Sequence, residues 1–256
     1  MGFLVPFDRI QLSQDMLVAA IGDTWSSAEV GAALELLNGS DGKFPSGVRR
    51  LPSDLVSAVQ RERLLAAMLR AASELGYRET NVQDVIDRAG VSRPTFYEHF
   101  ANKEACFLAA FDITATRLRD RMGSAVEKGG DNLRDRLRFG LETLLNFVAT
   151  EPDAARTLIV EARAASVEAV MRRDDLLDHF AGCIDSQVRE LLPDAPSYSP
   201  VTAAGIVGGV EALLYSRLNK GETDDLDSLL PSMMYFLVLP FEGHAAASEE
   251  LAVALG

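Results

Sequence analysis

Residues 80–103 read TNVQDVIDRAGVSRPTFYEHFANK, and this stretch decides the fold. Val82, Val85, Ile86 and Ala89 fall at i, i+3, i+4 and i+7, the apolar stripe of a short amphipathic helix. Thr80-Asn81-Val82-Gln83 has the form of a capping box, with the Thr80 hydroxyl expected to accept from the Gln83 amide and Gln83 to reach back. Gly90 ends that helix by supplying a left-handed backbone at low steric cost. Ser92 opens a second helix with Arg93 and Pro94 in its first turn, where a missing amide hydrogen costs no intrahelical bond. Phe96 and Phe100, four residues apart, are expected to point inward together. Asn102 caps a further helix that begins at Lys103 and runs to about Met122.

Two short helices joined by Ala89-Gly90-Val91-Ser92 form the plan of a helix-turn-helix, whose second helix enters the major groove by its N-terminal end. The residue types suit that groove. Arg93 can donate to a guanine edge or a phosphate. Thr95 can offer a hydroxyl to a base or a methyl to thymine, and Tyr97 and His99 can hydrogen-bond phosphates. Lys103, in the first turn of the following helix, combines a cation with free backbone amides, which suits a phosphate clamp.

Thr80, Val85, Ala89-Gly90-Val91-Ser92, Phe96-Tyr97, His99-Phe100 and Lys103-Glu104 together resemble the signature of the TetR family of bacterial transcriptional regulators, over about residues 60–111. The resemblance implies that Thr80, Ser92, Arg93, Thr95, Tyr97, His99 and Lys103 occupy DNA-contacting positions, and that Phe96 and Phe100 are core. Two residues depart from the family pattern: Pro94 stands where many members have glycine, and Glu98 where many have a basic or neutral residue. A carboxylate near phosphates is repulsive, so Glu98 is expected to point away or to pair with Arg93 or Lys103.

Outward from this stretch the chain keeps helical periodicity, with strand-like alternation nearly absent. One helix is expected over Ser53–Leu75, stopped by Gly76, and others over 132–150, 152–165, 167–192, 200–219 and 224–241. The alanine-rich end from His244 is expected to fray. Residues 1–50 read as a partly helical extension with a linker rich in glycine, proline and serine at 38–52. The expected fold is therefore all-α. A three-helix helix-turn-helix DNA-binding domain at 51–122 precedes a helical ligand-binding and dimerisation domain at 123–256, with the extra extension at 1–50.

The 256 residues carry 25 Lys and Arg against 38 Asp and Glu, a net charge of −13, which argues against a generally polyanion-binding protein. The charge is unevenly spread. Residues 49–123 hold 12 basic and 10 acidic residues, a net of +2, whereas 1–48 and 124–256 come to −4 and −11. Two cysteines, Cys106 and Cys183, exclude a disulfide framework or a four-thiolate zinc site and are expected to be free in a reducing cytoplasm. The N-terminal MGFLVPFDRI lacks a basic segment followed by a long apolar core, so no signal peptide is expected. The longest apolar runs, 201–210 and 233–240, fall short of the ~20 residues that span a bilayer, and no membrane partner is expected. No nucleophile elbow, P-loop, dinucleotide fingerprint or His-Glu-x-x-His motif is present, so the expectation is a non-enzyme without metal or cofactor. The arginines at 134, 136 and 138, with Asp131, Asp135 and Glu142 nearby, read as a surface ion-pair face.

By family resemblance the C-terminal helices dimerise and enclose a pocket. Its expected place is among helices 132–192, with Phe139, Phe147, Met171, Phe180 and Cys183 as walls and Arg163 and His179 as polar anchors. The last two long helices carry Gly205, Gly208, Leu213, Met233, Phe236 and Leu237, more apolar surface than one helical pair needs, and are expected to form a four-helix interface. The reading is a homodimeric repressor on a near-palindromic double-stranded DNA operator, released when a small molecule shifts the population of forms. A ~10–100-fold change in DNA affinity needs only ~1.4–2.7 kcal/mol of coupling. Its rival is a helical protein-interaction module that has lost specific DNA reading.

Overall fold

The computed structural model describes residues 53–193, 199 and 201–252, and among these there are helices and turns but no strand. The readings made for 1–50 and for the linker at 38–52 lie outside the described residues. Packing divides the chain between Ala110 and Phe111.

The first unit opens with α1 (Ser53–Leu75), followed by α2 (Val82–Ala89) and α3 (Arg93–His99). α2 packs on α1, and α3 on both. The inward stripe of α2 is Val85, Ile86 and Ala89, as the spacing requires, with Val82 half-buried. Phe96 is fully buried and Phe100 nearly so, their rings 5.9 Å apart. Tyr77 lies edge-on to Phe107 at 4.7 Å in the same core. Gly90 caps α2 at φ 63° and ψ 37°, the left-handed geometry the turn needs. α4 (Lys103–Val126) starts beneath an Asn102 cap that accepts from the Ala105 amide at 2.8 Å, and it runs one turn beyond Met122.

The second unit holds the remainder of α4, then α5 (Leu133–Thr150) and α6 (Pro152–Arg156). A π-helical turn (Thr157–Glu161) leads from α6 into α7 (Ala162–Ala165). The single helix expected over 152–165 is thus widened in its middle. α8 (Val167–Leu191) is capped by Ser166, whose hydroxyl accepts from the Ala169 amide. α9 (Val201–Lys220) and α10 (Leu230–Ala252) complete the unit.

Two expectations are corrected here. The end from His244 is not frayed: α10 bends at Gly243 (φ 83°), after Pro240, and continues to Ala252. Ala247 and Glu250 are buried, and Glu250 pairs with Arg138 while Arg134 reaches Glu242 and Glu249. The arginines of α5 therefore bridge to a distant helix, not to their sequence neighbours, and Arg136 likewise reaches Glu190. The apolar run from Val201 ends at Val210, before Glu211. By length and composition α9 reaches the bilayer-spanning range, yet it carries a buried Glu211 that is ion-paired within the unit.

The conformation of Gly90 generates a direct test. A Cβ there places an L-residue in the left-handed region, at a cost of ~1–2 kcal/mol. Gly90→Ala is expected to lower the urea midpoint of the full chain accordingly; an unchanged midpoint would show that the turn does not need its glycine.

Candidate nucleic-acid interface and cavity

The turn between α1 and α2 sets the geometry of the first unit. Asn81, not Thr80, is the cap of α2. Its side chain accepts from the amides of Gln83 (2.8 Å) and Asp84 (3.2 Å), and the Asp84 carboxylate accepts from the Asn81 amide (2.8 Å). The capping box is displaced by one residue, because a carboxylate at Asp84 closes it with a charge-assisted bond that Gln83 cannot offer. Thr80 is only 1% exposed and its hydroxyl donates to the Gly76 carbonyl at 2.8 Å. That side chain is committed to the turn, which corrects its expected place among the DNA contacts.

Lys103 is corrected in the same way. Its Nζ donates to the carbonyls of Tyr77 (2.9 Å) and Thr80 (2.8 Å) and lies 4.1 Å from the centre of the Tyr77 ring. Burial lowers its pKa, with Glu79 opposing. The ammonium ties α4 to the α1–α2 turn, and its donors are occupied by carbonyls.

The remaining five candidates gather on and before α3. The Ser92 hydroxyl caps the helix, accepting from the Thr95 amide at 3.2 Å and sharing a 2.8 Å bond with the Thr95 hydroxyl. Arg93 is exposed and donates to Gln83 Oε1 at 2.8 Å, while Gln83 Nε2 donates to Asp87 at 2.7 Å. This relay across the turn aims the guanidinium, and sequence reading missed it because Gln83 and Arg93 are brought together only by the turn. Tyr97 is 50% exposed, its ring edge-on to Phe96. His99 is half-buried; burial first and Arg61 second lower its pKa, against Glu98, so near neutral pH it is an uncharged donor or acceptor. Glu98 is exposed and pairs with neither expected partner, since Arg93 is held by Gln83 and Lys103 by carbonyls.

The second unit encloses a cavity of about 220 Å³. Its walls come from α4 (Leu118, Met122, Val126), α5 (Leu137, Leu141, Leu144) and the π-helical turn (Leu158, Ile159), with α8, α9 and Leu237 of α10. The lining is wider than the 132–192 expected. Phe147, His179, Phe180 and Cys183 are among its lining residues. Phe139, Met171 and Arg163 are not. On α8 the lining residues are 173, 176, 177, 179, 180, 183, 184 and 187, so Met171 lies on the opposite side and is 57% exposed. Phe139 is offset in the same manner from Leu137 and Leu141. Arg163 instead pairs with Glu211 and stacks 4.5 Å from the Tyr215 ring centre. Arg173 holds the other side of Glu211 at 2.8 Å. Cys183 Sγ lies 3.7 Å from His179 Nε2. Burial raises the thiol pKa, while burial and then Arg119 lower that of His179.

Of the residues expected at a dimer interface, Met233 and Leu237 are buried within their own subunit, together with Met234, Val238 and Phe241. They form the inward face of α10, and are corrected accordingly. Phe236 lies on the opposite side, 44% exposed, packed against Gly209, where a Cβ would meet its ring at 3.2 Å. Gly205, Gly208 and Leu213 are exposed on α9, and nothing lies within 4 Å of a Cβ built on either glycine. Val201, Ala204 and Ala212 continue this small-residue face.

Residues 64–110 match the family described as bacterial regulatory proteins, tetR family. The chain is 30% identical over 116 residues to the HTH-type transcriptional activator FasR of Mycolicibacterium smegmatis, covering 45% of this chain and 52% of that one. It is 28% identical over 125 residues to the HTH-type transcriptional regulator EthR of the same organism, covering 49% and 54%. The chain therefore spans about half the length of these regulators. Among solved structures, the fatty acid degradation regulator FadR of Bacillus halodurans superposes with a TM-score of 0.64 at 18% identity, covering 70% of this chain and 94% of that one. FadR of Bacillus subtilis, solved in complex with stearoyl-CoA, gives 0.63 at 19%, covering 69% and 97%. These two likenesses are likenesses of fold. The match over residues 64–110 spans the capped turn and the paired helices described above, and over this segment the chain is similar to the tetR family of bacterial regulatory proteins.

Proposed function

We propose that the chain is a ligand-responsive, DNA-binding transcriptional regulator that acts in the cytoplasm as a homodimeric repressor. The observation that carries this reading is the exposed N-terminal end of α3. Ser92 fixes its first turn, and the relay from Asp87 through Gln83 holds Arg93 outward. A pre-aimed guanidinium loses less side-chain entropy on meeting a guanine edge or a phosphate. Tyr97 and neutral His99 add hydrogen bonds to the backbone of the duplex. Ser92, Arg93, Thr95, Tyr97 and His99 make up the reading surface, with Thr80 and Lys103 as its internal supports.

The dimer reading rests on α9, an apolar helix of which little more than a quarter is buried within its own subunit. Its open face, with Gly205, Gly208 and Leu213, and the neighbouring Phe236 suit close approach of a second copy. A two-fold pair of reading heads calls for a near-palindromic operator with half-sites about one DNA turn apart. The effector reading rests on the apolar cavity of the second unit, bordered by a π-helical turn of the kind that recurs at functional sites. The stearoyl-CoA bound to B. subtilis FadR supports a small-molecule effector in this fold.

The second reading, an interaction module without specific DNA contact, draws support from the exposed Glu98 and from the engagement of Lys103 by carbonyls. Fluorescence anisotropy on duplexes flanking the gene separates the two. Arg93→Ala is expected to weaken specific binding by ~1–3 kcal/mol and to reduce the salt slope by ~1. Lys103→Met is expected to lower the melting temperature and to leave the salt slope unchanged. Equal binding of wild type and Arg93→Ala to every duplex would favour the interaction module. For the dimer, Gly208→Arg is expected to convert the chain to a folded monomer by sedimentation velocity; a persistent dimer would move the interface elsewhere.

A further inference from the structure

Three arginines border the cavity, and they are not equivalent. Arg136 is paired with Glu190, and its Nε donates to the Gly130 carbonyl. Arg173 is paired with Glu211 and Asp174. Arg119, on α4, has no carboxylate within ion-pair distance among the described residues, and its Nε is buried with no hydrogen-bond partner. A buried donor on a charged group that lacks an acceptor is costly, and the cost is removed when an acceptor arrives. Around it the wall is built from leucine, isoleucine, valine and phenylalanine side chains of α4, α5, α8 and α9.

We infer that the cavity takes a single-chain apolar monocarboxylate, with the carboxylate on Arg119 and the tail among the leucines and isoleucines of the wall. The inference rests on the effector reading above and adds the chemical class. Charge decides between candidates. Glu211, the one carboxylate in the wall, is already neutralised by Arg163 and Arg173, so no side chain there attracts an ammonium group. Burial, and then the charge of Arg119, lower the pKa of His179, which also lines the cavity, so this ring adds no positive charge there near pH 7. The compensation is therefore specific: an anion satisfies Arg119, whereas an alcohol offers it only a neutral acceptor and an amine repels it.

Isothermal titration of the full chain with octanoate, octanol, octylamine and octanoyl-CoA tests this. The expected result is octanoate binding roughly ten-fold or more tighter than octanol, with octylamine weakest. That preference should vanish in Arg119→Met and persist in Arg119→Lys, which keeps the charge and guards against a merely misfolded variant. Octanol binding as tightly as octanoate, or a preference that survives in Arg119→Met, overturns the assignment while leaving the cavity as an effector site. Binding of octanoyl-CoA alone also overturns it, in favour of an effector recognised through its larger head. Binding of none of the four overturns both the assignment and the effector reading.

Discussion

One ammonium group organises the reading head. Lys103 stands at the start of α4, and its Nζ is held by the carbonyls of Tyr77 and Thr80 against the face of the Tyr77 ring. Those carbonyls belong to the turn that ends α1, where Gly76 (φ 80°) reverses the chain and leaves main-chain acceptors pointing into the fold. Without a donor they would be buried acceptors with a desolvation cost. With it, the turn, the cap at Asn81 and the beginning of α4 become one unit. α2 is then fixed relative to α4, and α3, pinned by Phe96 and Phe100, has one place to lie. The exposed residues of α3 are consequently carried on a rigid frame, which is what a groove-reading helix requires.

The second unit is governed by another balance of charge. Its helices are acidic, yet among the described residues the buried carboxylates are each matched: Glu161 by Arg156, Glu211 by Arg163 and Arg173, Glu250 by Arg138 with Arg134 nearby. Removing one member of such a pair costs ~3–5 kcal/mol, because it strands a buried charge. These pairs fix α8 to α9 and the bent end of α10 to α5, and the apolar cavity lies between elements held in this way. Arg119 differs: at the wall its Nε is buried without a hydrogen-bond partner among the described residues.

Much of this was legible in the sequence, for local reasons. The i, i+3, i+4, i+7 stripe of α2, the glycine turn at Gly90, the Ser92 and Asn102 caps and the Phe96–Phe100 pair all depend on residues within a turn or two of one another. What failed to be legible was tertiary. Lys103 looks like a phosphate ligand until the Tyr77 and Thr80 carbonyls, more than twenty residues away, are brought beside it. Thr80 and Asn81 are equally good caps by type, and only Asp84 closing the box selects between them. For Met171, Phe139, Met233 and Leu237 residue type alone does not give the face, because the rotation of each helix about its axis is set by its neighbours. The end of α10 looked frayed because its anchors, Arg134 and Arg138, lie over a hundred residues earlier. Net charge misled in the opposite sense: the acidic total belongs mainly to the second unit and says little about α3.

The central claim is that α3, presented twice by a symmetric pair of chains, reads a defined DNA sequence. Selection of bound duplexes from a random pool by the full chain tests this most directly. The account predicts enrichment of a near-palindrome with half-sites about one helical turn apart, lost when Arg93→Ala is used as bait. A pool that shows no enriched sequence after repeated rounds, with the wild-type chain folded and dimeric, would contradict it.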